Sequence, residues 1–562
     1  MHKAGKWLIR IAVTGILFLL LFAGCAAADG KTLTAGCPSV CGEKVIAREG
    51  KDGLILSLPG FWDLSKITLE MDGMQTLLLD NGAAEVPSGQ ETDLTGLAGR
   101  RIRLEDGNGK GCGYVTILQG SKIPALFLEV DGERLKRVNR SKENVITDGR
   151  AVCYEADGTV DYSGALDQMK GRGNNSFRYS KKPYQIKLRE KASLGGMAKA
   201  RTWVLLANWV DVSLLRNQIV LDMSREIGLR YAVSCIQTDV WINGVYNGLY
   251  LLTEKIQIGK NRVNITDLEE ETEKVNSVPF TPGKIVKTKS KEIPLMRSYP
   301  AVQDPEDITG GYILTIEKKA RMNNYGSLAG FRTVNDLSIR VKEPTYPSRG
   351  QTEYLFRRFT ELQQALIARD GINPETGMAF DAYLDVRSFA QKYLIEEWCK
   401  NYDFFGGSQF LYKDSDKVDP LVYAGPSWDY DLSFGNMADR GHRSDGAYLT
   451  VYRRNYNIYW LLSGHEGFRA EVEALWKKAF RPALAVLLGE TEKAPDGIVC
   501  SLAEYREQIS ASVQLNTRRW GISSDASGRD AGVSFDNAVK YLEKWIRERT
   551  AWMDGEYGTE GE

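Results

Sequence analysis

Two carboxylates stand two residues apart in Pro426-Ser427-Trp428-Asp429-Tyr430-Asp431-Leu432-Ser433-Phe434-Gly435-Asn436, an aromatic-rich run closed by glycine. In an extended chain residues i and i+2 project to one side, so Asp429 and Asp431 can share a face. Neighbouring carboxylates repel unless a positive charge lies beside them, and a divalent cation held by oxygen ligands is a usual answer. The same residues also suit a strand end entering a solvated turn, with the aromatics filling a core. Both readings stay open on this stretch alone.

A third acid lies upstream. Asn401-Tyr402-Asp403 follows a long amphipathic segment, Tyr383 to Lys400, and precedes the strand-like Gln409-Phe410-Leu411-Tyr412-Lys413 and a polar turn at 414–419. An acid after a helix, a hairpin-like pair of strands, then an acid with Phe and Gly behind it is the order of a protein-kinase large lobe. There one Asp orients the attacking hydroxyl and a later Asp holds Mg²⁺. Here the later run reads Asp-Leu-Ser-Phe-Gly rather than Asp-Phe-Gly, and no His-Arg precedes Asp403.

Further towards the N-terminus, Gly171-Arg172-Gly173-Asn174-Asn175-Ser176 can bring backbone amides close to a phosphate, or simply form a tight turn. Lys182 and Lys187 follow. On a strand, Tyr184, Ile186 and Leu188 face one way, and Gln185 and Lys187 the other. A covered mid-strand lysine pays a desolvation cost unless it meets an anion; otherwise it reaches out to water. Arg216, in Leu215-Arg216-Asn217, can pair with a carboxylate, reach a phosphate or stand on the surface.

Taken with Trp203 to Asn208, Asp211, Asn243 to Leu251 and Glu254-Lys255, these runs resemble the CotH family of atypical protein kinases, named for a spore-coat protein. The resemblance spans roughly Ile123 to Tyr557. It implies an α+β, two-lobed, kinase-like domain that uses ATP and Mg²⁺ (or Mn²⁺). The γ-phosphate would pass to Ser or Thr of a protein at the cell or spore surface. Asp403 would orient or deprotonate the hydroxyl, and Asp429 would hold the metal, with Asp431 as second choice. Where the family commonly carries Asn after the catalytic Asp, the polar candidates are Ser408 and Gln409, with Gln409 taken as the metal ligand. Lys187 would neutralise phosphate charge, with Lys182 as runner-up, beside Gly171, Arg172, Gly173, Asn174, Ser176 and Arg216. Glu254 would sit where a hinge reads the adenine edge. Thr315 replaces a more usual acid in Gly-Gly-Tyr-Ile-Leu-Thr-Ile-Glu, leaving Glu317 nearby. The alternative is a non-catalytic surface protein for adhesion or assembly on the same scaffold. An extracytoplasmic address, where ATP is scarce, favours it; retention of the acids favours the enzyme.

The elements that must position these residues belong to a chain of 562 residues, 43% hydrophobic and 26% charged, long enough for two or three domains. Lys plus Arg and Asp plus Glu both number 73, and no basic stripe interleaved with aromatics points to nucleic acid. Lys3, Lys6 and Arg10 precede an apolar run, Ile11 to Phe22, then Ala23-Gly24-Cys25. Residues 1–25 therefore read as a lipoprotein signal with Cys25 as a lipidated, membrane-anchored first residue, or as a plain signal peptide. Cys37 and Cys41 can pair in an oxidising compartment or be adjacent by accident, and no disulfide framework is expected. With only His2, His442 and His465, neither a Ser-His-Asp centre nor a zinc motif is recognisable. Asp403 with Asp429 or Asp431 has the makings of a glycosidase pair, but nothing else supports a sugar cleft.

Residues 26–121 read as a small, separate all-β module, an immunoglobulin-like sandwich, with Asp72-Gly73, Asn81-Gly82 and Asp106-Gly107-Asn108-Gly109 as turns. A strand, not a helix, follows Gly107 to Gly113, so a hairpin is expected there rather than a nucleotide loop. Residues 122–560 form the kinase-like domain: strands and glycine turns, a helix from Val212 to Ile227 capped by Asp211, then further strands. Acidic, then Lys- and Pro-rich, residues 269–307 read as an exposed loop insertion. Helices dominate from Gln351, ending in an amphipathic one from Phe535 to Met553.

Overall fold

The structure is a computed structural model that describes residues 32–558, apart from 81, 83, 278–279, 438–439, 493–496 and 524–527. The proposed signal and Cys25 lie outside the described residues. The fold is α+β. No helix among the described residues is long and apolar enough to cross a membrane.

Residues 33–119 form two facing layers. One has the strands Leu33–Cys37, Cys41–Ile46, Ile67–Met71 and Glu91–Thr92; the other is six-stranded and includes Gly53–Leu58, Arg101–Asp106 and Gly111–Gln119. Period-two alternation sends Val45 and Leu69 from one layer, and Leu56, Ile102 and Ile117 from the other, into a common core. The turn at 107–110 joins two antiparallel strands, a hairpin as its residues suggest. This module is not sealed off, in contrast to the separate unit expected. Phe127, Tyr154 and Trp241, from beyond residue 121, complete its core. Phe127 stacks on Trp241 at 4.9 Å, and Trp241 Nε1 donates to Ser57 O at 3.3 Å. Strand Cys41–Ile46 pairs with strand Val245–Glu254 at Ile46 and Val245.

Seven strands then close on themselves. Ala125–Glu129, Arg150–Tyr154, Val160–Gly171, Tyr184–Ala192, Ala200–Leu206, Cys235–Ile242 and Val245–Glu254 form a ring, because Ala200–Leu206 pairs with both Tyr184–Ala192 and Val245–Glu254. Closure leaves no free edge. Ile186, Leu188, Trp203, Leu205 and Tyr250 fill the interior. By alternation Lys187 and Val204 point outward, and Val204 packs with Trp428.

The helix expected from Val212 spans Arg216–Glu226 instead. Leu214 is left-handed, with φ of +58°, which delays the first helical turn. Asp211 still serves its start, accepting from the Arg216 amide at 2.9 Å.

Residues 269–307 differ from the loop expected. They lie within a helix, Leu268–Val275, and two strands, Val286–Thr288 and Leu295–Ser298, of a seven-stranded sheet. Leu295 and Met296 are buried, and Leu295 pairs with Arg332, far along the chain, so local composition carries no trace of the pairing. That sheet also contains Tyr312–Ile316, Ser338–Glu343 and the hairpin Gln409–Lys413/Val422–Ala424. Helices Arg349–Ile367, Val386–Cys399, Leu502–Trp520 and Phe535–Tyr557 gather around Phe359, Leu394, Trp398 and Leu542.

Candidate functional site

The helix Val386–Cys399 is buried along almost its whole length and stops at Lys400, whose left-handed φ of +46° turns the chain sharply. Asn401 caps the short turn that follows, its Oδ1 accepting from the Asp403 amide at 3.0 Å. Helix end and cap together fix Asp403 in place. The hairpin then carries the chain out and back to Trp428, and Asp429 adopts a left-handed φ of +74°. Such a conformation in a non-glycine residue persists only where the surroundings hold it.

They do so on both flanks. The Tyr430 amide donates to Asn217 Oδ1 at 2.8 Å, and its ring lies buried with its hydroxyl 2.8 Å from Glu396 Oε1 and 2.5 Å from Lys392 Nζ. Arg216 Nε donates to Ser433 O at 3.1 Å, and Asn436 Nδ2 donates to Asp431 O at 2.8 Å. With Tyr430 turned inward, Asp429 and Asp431 both face the cleft, though through a left-handed turn at Asp429 rather than the extended strand that a spacing of two assumes.

Asp403, Asp429 and Asp431 can each offer a carboxylate oxygen within 4.8 Å of the others, and all three are half-buried. Burial, then the Asp429 charge, pushes Asp403 up to about 7, partly offset by Lys318 and Arg321. Burial, followed by Asp429 and Asp403, holds Asp431 well above the usual carboxylate range. Three crowded oxygen donors are a set that a hard divalent cation fits. The acids open into a cleft of about 940 Å³ that the loop Arg172–Ser176 also lines. The Arg172 guanidinium lies 5.3 Å from the centre of the Trp428 ring and feels the charge of Asp429.

The sequence profile of the family described as CotH kinase protein matches residues 169–553, from the strand before this loop to the last helix. The chain belongs to the CotH kinase family. Among curated proteins, none matches it.

In this CotH-family chain seven of the residues assigned a role by the resemblance share the cleft, Arg172, Gly173, Asn174, Ser176, Asp403, Asp429 and Asp431, and Ser408, Thr315 and Glu317 line it too. Gly173 has φ of +85°, and at Gly171 a Cβ would fall 2.1 Å from the Phe177 ring, so glycine is required for two different reasons. The remaining residues are placed elsewhere. Lys182 Nζ donates to Phe177 O at 2.8 Å and braces the loop instead of facing an anion. Lys187 is on the outer face of the barrel, opposite Thr202, and does not line the cleft.

Arg216 is fully buried and is no phosphate ligand. Its guanidinium pairs with Asp211 at 2.5 Å and Asp530 at 2.6 Å. Glu254 is no adenine contact, being taken up by Arg262 at 2.6 Å and the Ser234 amide at 3.1 Å. Gln409 is no metal ligand either; it is buried away from the cleft and donates to Phe404 O. Its neighbour Ser408 faces the acids and donates to Asp429 Oδ2 at 3.0 Å. Ser408 stands just before the strand that Gln409 opens, so the two neighbours take opposite sides.

Sequence reading missed Arg321, Arg340 and Lys342, which line the same cleft. A signal existed for two of them, since Arg340 and Lys342 are two residues apart in a strand-like run.

Proposed function

We propose that this chain is an atypical protein kinase that transfers the γ-phosphate of ATP to Ser or Thr of a surface or spore-coat protein. The observation that carries this reading is the meeting of Asp403, Asp429 and Asp431 with a glycine-bearing, arginine-bearing loop in one cleft. The barrel would be the small lobe and the helical part the large lobe, with the first module as an immunoglobulin-like sandwich.

Asp429 and Asp431 would hold Mg²⁺ or Mn²⁺, which when bound offsets phosphate charge during transfer. Ser408 orients Asp429, and Arg216 and Asn217 hold the turn that carries both acids. Asp403 would accept the proton of the attacking hydroxyl. Its raised proton affinity suits a base working near neutrality, where the ionised form and the driving force for proton uptake are both appreciable. Arg172 and the backbone of Gly173 to Ser176 would steady the phosphates.

Calorimetric titration with ATP and Mg²⁺ or Mn²⁺, followed by a labelled-phosphate transfer assay, tests the reading. Saturable, metal-dependent binding is expected. A folded chain that binds no nucleotide with either metal would favour a non-catalytic surface protein on this scaffold. We further propose anchoring through a lipid on Cys25, for which Cys25→Ser should move the protein from the membrane fraction to the soluble one.

A further inference from the structure

One wall of the cleft is crowded with acid, and another is crowded with base. On strand Ser338–Glu343 alternation puts Arg340 and Lys342 on one face, and both line the cleft that holds Asp403. Arg321, from helix Lys319–Asn324, joins them. Among the described residues one acid forms ion pairs with this group: Glu317, 3.2 Å from Arg321 and 3.9 Å from Arg340. Lys342 has no hydrogen bond and no ion pair among the described residues. Burial, then Arg340, lowers its ammonium to about 8, with Arg321 and Lys255 adding to the effect and Glu317 opposing it. Burial also lowers Arg340 and Lys255, with Glu343 and Glu269 countering at Lys255.

Half-buried cations in excess of their counter-charges are costly, and a compact anion carrying several charges removes that cost. Guanidinium forks and an ammonium point charge are the groups that bind phosphate oxygens well. We propose that Arg340, Lys342 and Arg321 form a second anion subsite, apart from Arg172 and its loop, that takes a run of two or more phosphate groups. In turnover these phosphates would be the tail of the nucleoside triphosphate or phosphates already carried by the acceptor. That assignment rests on the kinase reading; the subsite itself does not.

The test uses the full chain and inorganic tripolyphosphate in metal-free buffer, read by calorimetry. The wild type should bind, and Lys342→Gln and Arg340→Gln should each weaken binding by about 10-fold, the scale of one charge-assisted contact. Lys342→Arg should recover most of the loss, which a misfolded variant would not. Lys319→Gln, whose lysine pairs with Asp336 away from this cleft, should bind like the wild type. Equal binding by wild type and both glutamine variants, or none by folded wild type, overturns the subsite. Adding ATP together with Mg²⁺ then separates the two sources, since displacement of tripolyphosphate assigns the nucleotide tail and simultaneous binding assigns the acceptor. Lys342-dependent tripolyphosphate binding in a chain that binds no ATP would sink the kinase reading and leave the subsite standing. Phosphate transfer with binding indifferent to Lys342 would do the reverse.

Discussion

Two clusters of charge lie close together in this molecule and have opposite characters. Around Arg216, two carboxylates and a carbonyl surround one guanidinium, all buried, and the Asp211 hydroxyl partner Ser213 adds another hydrogen bond. In the cleft, three carboxylates face one another with no ion pair to a side chain among the described residues, and several cations face one glutamate. Both clusters pay for desolvation, but only the first is neutralised from within. A cluster that satisfies itself is a stitch in the fold; one that stays unbalanced is prepared for an ion or ligand of opposite sign.

The largest effect should come from opening the stitch. Arg216→Met leaves Asp211 and Asp530 buried without a counter-charge, so stability should fall by about 3–5 kcal/mol in a urea titration. A loss within error of zero would mean that the network contributes nothing, and the contrast with the cleft would collapse.

In the cleft the same kind of deletion should spare the fold and remove function. Asp429→Asn should abolish metal-dependent nucleotide binding. Asp403→Asn should keep that binding while phosphate transfer drops by roughly 10²-fold or more, the scale of acid–base and positioning effects. Transfer at wild-type rate by both variants would remove the catalytic assignment.

A smaller effect should appear in stability against pH without metal. The folded pKa of Asp403 is raised to about 7 from a usual 3.8, so the fold favours its protonated form. Any stability this provides is fully present below the unfolded pKa and is lost as pH rises through the folded one. Asp403→Asn should therefore melt close to the wild type near pH 4 and a few degrees above it at pH 8, with Mg²⁺ narrowing the gap. A gap that is constant with pH would show that Asp403 is not held in a repulsive cluster.

The smallest effect is expected at Glu254. Glu254→Gln removes the charge that pairs with the buried Arg262 and should lower stability by about 1–2 kcal/mol, less than at Arg216 because the amide can still accept from Arg262 and from the Ser234 amide. Nucleotide affinity, measured alongside, should not change. A clear loss of affinity would return Glu254 to the site.

Much of the acidic side could be read in one dimension, because its information is local. The two acids stand close in sequence, a helix end precedes Asp403, and the glycines of 171–173 announce a close turn. The sequence also contained the α+β class and the family, since the runs that carry the resemblance occur in order along most of the chain. What the basic residues do is a different kind of fact. Arg216 belongs to the stitch only because Asp530 arrives from the far end of the chain. Glu254 is withdrawn from the cleft by Arg262, and Ser408 reaches Asp429 while Gln409, its neighbour, is taken up by Phe404 O. Arg340 and Lys342 become a wall of the site because their strand pairs with Tyr312–Ile316, itself paired with the strand that follows Asp403. A residue's own type says which charge it carries; whether that charge is spent on a partner or left for a ligand depends on contacts between distant segments, and those exist only in the folded chain.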